Sequence, residues 1–311
     1  MSALLTWTAS AVWSCLSALA RALSAWGFLK KQRLSCRVIS VGNIQVGGAG
    51  KTPLVAQIAR EAAERGQLVV ILCRGYGGEW ESQGGVIAPG TCAPDVVECG
   101  DEAALLHELA PHAWIGVGAR RAEQFKKIAA NLEKLGKLAD LVILDDGFQH
   151  WKIHKDLEVV AITSKTRGEV LFRDWSSALR HAGLVVWTKG SEANCVFGVK
   201  TRHQLKSALS DRPLWLVTGL ADGKSALDAV RAAGYLVENH VSFPDHARYD
   251  SKMVTQFCAQ ARAKSVQVAT TGKDWVKWRE FGLTGDQVLV LEPDLVFEEG
   301  RETWLRALWG G

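Results

Sequence analysis

The sequence predicts an α/β fold in which parallel sheets are covered by helices on both faces, and three observations predict it. Short apolar or β-branched runs alternate with helical stretches along most of the 311 residues, the signature of parallel sheets built from βαβ units. One run, Leu68–Leu72 (LVVIL), is apolar at every position, as a strand buried on both faces requires. A glycine-rich loop separates the first strand of the series from the first helix that follows it.

Before that series comes an apolar segment. From Met1 to Ala20 no side chain is charged, and Leu4, Leu5, Trp7, Val12, Trp13, Leu16 and Leu19 fall within it. Arg21 interrupts the run, Trp26 and Phe28 extend it, and Lys30, Lys31, Arg33 and Arg37 close it. A signal peptide puts its basic residues first and a cleavage site last, the reverse of this order. Crossing a bilayer takes about 20 strongly apolar residues, and six Ser or Thr between Ser2 and Ser17 dilute the run. The segment therefore reads as a helix lying in a membrane interface, with Trp and Leu toward the acyl chains, Ser and Thr upward and the basic cluster on anionic headgroups. A single span with the basic end inside, and an apolar helix packed on the domain's own core, remain open alternatives.

Arg37–Val41 is a β-branched strand, and Pro53–Ala63 carries apolar residues at helical spacing, with Pro53 in the first turn where its missing N–H is harmless. After Leu68–Leu72 the strand candidates are Trp114–Val117, Leu141–Leu144, Glu158–Ile162, Leu184–Trp187, Leu214–Thr218, Val266–Thr270 and Val288–Leu291. Ala103–Ala110, Ala119–Leu135, Ser225–Ala233 and Ser251–Ala263 are helical. Gly78–Gly100, weakly patterned and with two prolines, reads as a hairpin or a long loop near the site. SKTRGEV and KGSEAN break the alternation, so a boundary is expected between Thr163 and Ser191. No internal repeat or low-complexity tract is present.

Composition narrows the function. Hydrophobic residues at 48% and charged residues at 23% describe a folded globular chain. The net charge of +4 suits phosphates or anionic lipid, but it lacks the dense basic face of a nucleic-acid binder. Seven cysteines without a CxxC pair read as reduced thiols of a cytosolic compartment.

The stretch VGNIQVGGAGKTPL, Val41–Leu54, makes a phosphate cradle. Glycines let successive backbone N–H groups turn toward one anion, and the helix that follows adds its unpaired amides and positive dipole end. Gly47, Gly48, Ala49 and Gly50 would wrap the phosphates of a nucleotide, Lys51 would reach the β- and γ-phosphates, and the Thr52 hydroxyl would ligate Mg²⁺. The strict pattern GxxxxGK[ST] fails at its first position, where Gln45 stands. LVILDDGFQH, Leu141–His150, is a buried strand ending in two carboxylates. A nucleotide–Mg²⁺ site needs such an acid at a strand tip, which makes Asp145 and Asp146 metal candidates; Asp-Asp-Gly is also ordinary turn chemistry.

Together with CRGYGG (Cys73–Gly78), CGDEAALL (Cys99–Leu106), LDDGFQH (Leu144–His150) and FPDH (Phe243–His246), this stretch resembles the tetraacyldisaccharide 4'-kinase family from about Arg37 to Asp274. The family's own loop, similar to VGGTGKTP, makes Gln45 a smaller departure. The resemblance implies transfer of the γ-phosphate of ATP to the 4'-hydroxyl of a tetraacylated glucosamine disaccharide 1-phosphate, a late step in building lipid A. It implies a P-loop α/β/α sandwich with a second, smaller α/β lobe and an N-terminal membrane-associated helix. The expected division is 1–29 for that helix, 30–165 for the kinase domain, 166–190 for a linker and 191–311 for the second lobe, with the last helix able to return to the kinase domain. The implied partners are ATP, Mg²⁺, a membrane glycolipid and the inner-membrane surface, at the cytoplasmic face of a Gram-negative inner membrane. No nucleic acid and no obligate protein partner are implied.

On the matched residues, Asp101 is the expected catalytic base and His246 its partner from the second lobe; Glu102 helps hold Mg²⁺ or the base. As bare sequence, Asp101 is also a good helix cap and His246 an exposed turn histidine. Arg74, at the sheet's carboxyl edge where α/β ligands bind, contacts phosphate or acceptor, or is a surface arginine on a glycine turn. Arg121 is a similar candidate, with one charge on an exposed helix as its alternative. His150 serves the site or a structural hydrogen bond. Two departures stand out. The family's segment similar to LLPAGPLREP is shortened to GEVLFRDWSSAL, Gly168–Leu179, in which Arg173 stands for the family's arginine, and its TEKD appears as TGKD, Thr271–Asp274. The competing classes are a nucleotide-driven switch, for which WTKG at Trp187–Gly190 is not a guanine reader, and a lipid scaffold without catalysis, against which Lys51, Thr52 and Asp101 are intact.

Overall fold

Helix α1 (Ala3–Ala25) begins the computed structural model, which describes residues 3–92, 94–189, 198–205, 212–220 and 222–310. Its hydroxyl face lies where the sequence did not place it. Thr6, Ser10, Ser14, Ser17 and Ser24 are buried against the protein, whereas the Leu, Val and Trp side chains lie outward, ending in Trp26 and Phe28 at 73% and 75% exposed. The hydroxyls point inward because they have partners there: Ser10 Oγ accepts from the Phe172 amide at 2.9 Å and Ser14 Oγ from Arg167 at 3.0 Å. By length and composition α1 could cross a membrane.

The sheet-forming chain follows. It runs β1 (Arg37–Asn43), α2 (Lys51–Glu64), β2 (Val69–Cys73), α3 (Trp80–Gln83), β3 (Gly85–Ile87), α4 (Val96–Cys99), α5 (Asp101–Leu109), β4 (Trp114–Val117), α6 (Arg121–Lys134), β5 (Leu141–Asp145), β6 (Leu157–Thr163), β7 (Leu184–Lys189) and β8 (Val199–Gln204). Gly78–Gly100 is therefore neither a hairpin nor a plain loop. It holds two single-turn helices and the edge strand β3, which pairs antiparallel with β4.

The chain then forms β9 (Leu214–Gly219), α7 (Gly223–Ala232), β10 (Val237–Phe243), α8 (Ser251–Ala263), β11 (Gln267–Thr271), α9 (Gly272–Trp278) and β12 (Val288–Leu291), before β13 (Asp294–Glu299) and α10 (Arg301–Trp309). Two sheets result. The larger has the order β13-β8-β7-β6-β1-β5-β2-β4-β3, parallel except for its two edge strands, and the smaller is the parallel set β10-β9-β11-β12. The KGSEAN segment, beginning at Lys189, otherwise lies outside the described residues, as does Cys195.

Alternation along each strand explains the continuous apolar runs. In β2, Val69, Ile71 and Cys73 join the core under α2 and α5, while Val70 and Leu72 join the core under α6. In β5, Leu141 and Ile143 face the first core, and Val142 and Leu144 the second. Both faces are dry along the apolar run of each strand, and the polar residue of β5, Asp145, stands at its tip. The smaller sheet repeats the pattern, with Trp215 and Val217 on one face and Leu214 and Leu216 on the other. Helix α10 docks on α2, where the buried Glu61 carboxylate accepts from Trp304, Trp309 and Arg301.

Candidate active site

β1 lies between β5 and β6, and its register pairs Val41 with Asp145. The glycine loop thus leaves the sheet directly beside the carboxylate that ends β5. Gly42 has to be glycine, because a Cβ there would stand 2.5 Å from Phe148 Cβ and 2.6 Å from its amide nitrogen. That close approach is how the Asp-Asp-Gly-Phe turn packs onto the loop. Gly50 closes the loop in the left-handed region at φ 68° and caps α2 without any side-chain bond.

The first turn of α2 contains no acidic residue and Pro53 has no N–H to place. Its amides are left for an outside acceptor, which is the condition for binding an anion. Gln45, which breaks the strict motif, is buried and structural: its side chain bonds Thr163 O, Lys165 O and the Thr163 amide at 2.8–3.1 Å, tying the loop to the end of β6.

Lys51 Nζ lies 3.5 Å from Asp146 Oδ1, and Arg173 Nη1 lies 2.7 Å from Asp146 Oδ2. Asp146 takes a left-handed backbone, φ 48°, unusual for a residue with a side chain. Burial alone would raise its carboxyl, but Lys51 and Arg173 hold it down at about 2. Asp145 behaves oppositely. Burial, then the charge of Glu102, pushes it up to about 7 against the pull of Lys51. Asp145 Oδ1 is buried without a hydrogen-bond partner. An orphaned carboxylate oxygen beside a lysine and a bare helix N-terminus fits a hard divalent cation that keeps most of its ligands from phosphate and water. No cluster of three or more His, Cys, Asp or Glu ligands forms among the described residues, so Asp145, Asp146 and Thr52 would supply the protein's share.

Asp101 begins α5 after Gly100 and is 4% exposed. It provides no side-chain cap; instead its carboxylate turns to the second lobe, where His246 Nδ1 stands 2.9 Å from Oδ2 and 3.1 Å from Oδ1. Lys277 Nζ is 3.2 Å from Oδ2 and Lys273 Nζ 3.9 Å. Burial would raise this carboxyl, but the His246 hydrogen bond and the two lysines hold it at about 2. His246 is raised in turn, chiefly by its bond to Asp101. Its backbone is left-handed at φ 58°, its ring centroid lies 5.4 Å from that of Tyr76, and Lys273 Nζ is 3.3 Å from its Nε2.

The structure brings Lys51, Asp145, Asp146 and Arg173 together in one group and Asp101 and His246 in another, with Glu102 acting electrostatically on Asp145 and on Lys273. Arg121 is buried at the start of α6, 3.4 Å from the Asp146 carbonyl, rather than on an exposed face. Arg74 is exposed and paired with Glu81 at 2.6 Å. His150 is held neutral, pushed down to about 3 by burial and by Arg121 and Lys155. Sequence reasoning missed Lys273 and Lys277. Their signal was their place in and just after TGKD, four residues apart and so on one face of α9.

A family model described as LpxK, tetraacyldisaccharide-1-P 4'-kinase, matches residues 2–309. The tetraacyldisaccharide 4'-kinase of Geobacter sulfurreducens is 35% identical over 286 residues, 83% of this chain and 79% of its own. That of Anaeromyxobacter dehalogenans is 33% identical and covers 96% of this chain and 88% of its own. Among solved structures, the apo-form LpxK of Aquifex aeolicus in complex with ATP superposes with a TM-score of 0.72 at 25% identity, covering 96% of this chain and 95% of that one.

Proposed function

This chain belongs to the tetraacyldisaccharide-1-P 4'-kinase family, and from that premise we propose how its residues divide the work. The reaction is ATP-dependent phosphorylation of the 4'-hydroxyl of a tetraacylated glucosamine disaccharide 1-phosphate in lipid A biosynthesis. Amides of Gly47–Thr52 cradle the phosphates of ATP, and Lys51 follows the γ-phosphoryl group as charge moves onto its oxygens. Thr52, Asp145 and Asp146 hold Mg²⁺, with Glu102 shaping the field around them. The ion, when bound, neutralises charge on the phosphate oxygens.

Asp101 receives the proton of the attacking hydroxyl, and His246 fixes the carboxylate's orientation. Arg173, on the Asp146 carboxylate, and Arg121, on the Asp146 carbonyl, hold the metal-site turn in place. Arg74, on an exposed turn, is the candidate contact for the acceptor. The kinase domain in this reading is the nine-stranded sheet with its helices, including β7, β8, β13 and α10, and the second lobe is the four-stranded sheet that delivers His246. The outward apolar face of α1 supports peripheral attachment to the cytoplasmic face of the inner membrane, where a lipid acceptor would be met.

The observation that carries the reading is the bare N-terminus of α2 with Lys51 3.5 Å from Asp146 and the orphaned Asp145 beside it. A transfer assay with γ-labelled ATP across candidate glycolipids, followed by mapping of the labelled hydroxyl, tests it. Label on the 4'-oxygen of the tetraacylated disaccharide 1-phosphate is expected. Label on another hydroxyl, or on no glycolipid, would remove it.

A further inference from the structure

Arg21 stands in an otherwise uncharged helix, yet it does not reach for water. Its Nη2 lies 2.6 Å from Asp174 Oδ1, with the two side chains only 14% and 1% exposed. Its guanidinium also sits 4.8 Å from the ring centroids of Phe148 and Trp151. Asp174 is shared: Gln149 donates to its other oxygen at 2.8 Å and to the Asn43 carbonyl at 2.9 Å. One arginine on α1 thus touches the turn that follows Asp145 and Asp146 and, through Asp174, the arm that carries Arg173.

That arm is built onto the glycine loop. Val46 N donates to Leu171 O and Arg173 N to Ile44 O, each at 2.7 Å, before the Arg173 side chain reaches Asp146. Its other edge is held by α1, where Ser10 Oγ receives the Phe172 amide and Ser14 Oγ receives Arg167, whose other nitrogen donates to the Asp174 carbonyl at 2.5 Å. A helix that served only to attach the chain to lipid would need neither inward hydroxyls nor a buried arginine. A charge in an apolar helix persists where it is paired, and a buried carboxylate that loses its partner is poorly tolerated.

We propose that Arg21, with Ser10, is a positioning residue for phosphoryl transfer: it locks the hydroxyl face of α1 to the Arg167–Asp174 arm, so that the helix facing the membrane also holds the metal-site carboxylates in register. The proposal rests on the kinase reading above only for its turnover arm. α1 then has two separable faces, an outer one for lipid and an inner one for the nucleotide site.

The test uses the full chain and three readouts: backbone hydrogen exchange, turnover, and pelleting with phosphatidylethanolamine–phosphatidylglycerol vesicles. Arg21→Met should cost about tenfold or more in protection of the Phe172 and Arg173 amides and roughly 10–100-fold in turnover, the range for loss of a supporting contact around a metal site. It should still pellet with vesicles. Arg21→Lys, which keeps a charge on Asp174, should recover part of both losses. Leu5→Ser with Leu16→Ser on the outer face should do the reverse, lowering pelleting while leaving that protection as in the wild type. If Arg21→Met does not fold, Ser10→Ala, which removes one hydrogen bond, decides by the same protection readout. Wild-type protection in Ser10→Ala and Arg21→Met, or a loss confined to pelleting, would overturn the proposal. Wild-type chain inactive on the acceptor would instead count against the kinase reading, with the exchange arm still deciding the coupling.

Discussion

Asp101 and Asp145 are buried alike, at 4% and 3% exposed, and their proton affinities move in opposite directions. Asp101 has His246, Lys277 and Lys273 within 4 Å and stays at about 2. Asp145 has burial and Glu102 against Lys51 and rises to about 7. Burial penalises both anions, so the difference is in their neighbours: Asp101 has a hydrogen bond from His246 and two lysines, whereas Glu102 and Asp146 work against Lys51 and Arg121 at Asp145. One carboxylate is finished before any ligand arrives. The other, with one oxygen buried and unpartnered, would be completed by the cation proposed to come with the nucleotide. Two acids whose environments drive them apart are the arrangement from which distinct roles follow.

The largest effect that tests this contrast is loss of a charge from either group. Lys51→Ala should abolish measurable turnover in a folded protein, because in the proposed reading the developing charge on the γ-phosphoryl oxygens loses the lysine that follows it. Asp101→Asn should lower kcat by roughly 10²–10⁴-fold, the usual worth of a positioned base, with ATP affinity little changed. A base at about 2 is weak, but phosphoryl transfer has a loose transition state in which the hydroxyl proton leaves late. Permanent ionisation and fixed orientation then matter more than basicity. Equal losses in kcat and ATP affinity for Asp101→Asn would move it to the metal or to the fold.

Asp145→Asn separates the two carboxylates more finely. The Mg²⁺ concentration for half-maximal turnover should rise roughly 10–100-fold, and the same substitution at Asp101 should leave it near the wild-type value. If both variants shift the Mg²⁺ requirement equally, the two sites are one, and the contrast drawn from their surroundings fails.

Much of this was readable along the chain, for a local reason. Strand, glycine loop and α2 are contiguous, and the tip of β5 is marked by five apolar-then-acidic residues, Leu141–Asp145, so pattern alone located them. Contacts between distant segments were readable only where the family resemblance supplied them, as for Asp101 and His246. Asp101 and Lys277 also meet across the lobes, and the place of Lys277 just after TGKD marks it as a candidate without naming its partner. β8 and β13 carry Lys200, Arg202, Glu298 and Glu299 at the sheet's edge, where one face is wet and the apolar signal vanishes. The inward hydroxyl face of α1 was concealed because its partners lie about 150 residues away, at Arg167, Phe172 and Asp174. Tertiary placement also hides from sequence: at Gly272, where the resemblance led to the expectation of a carboxylate, a Cβ would stand 3.0 Å from Glu292 Oε1, so the residue after another strand brings a carboxylate to that place.

The smallest effect, and the one that tests the contrast without catalysis, is the pH dependence of stability in the metal-free protein. A raised acid contributes stability that is present below its unfolded pKa and is lost as pH rises through its folded one. For Asp145 that window runs from 3.8 to about 7. A depressed acid contributes stability present above its unfolded pKa and lost as pH falls, which for Asp101 runs from 3.8 down to about 2 and amounts to about 2 kcal/mol. The windows do not overlap, so the variants divide them. Without metal, wild-type Tm minus that of Asp145→Asn should increase as pH falls from about 7 toward 4, and addition of Mg²⁺ with a nucleotide should flatten that difference by favouring the anion. Wild-type Tm minus that of Asp101→Asn should grow as His246, raised by its bond to Asp101, takes up its proton near neutrality, stay level once pH is below the ordinary histidine value of 6.5, and shrink below about 4. Two variants with the same pH profile would mean that the lysines around Asp101 leave its proton affinity no different from that of Asp145.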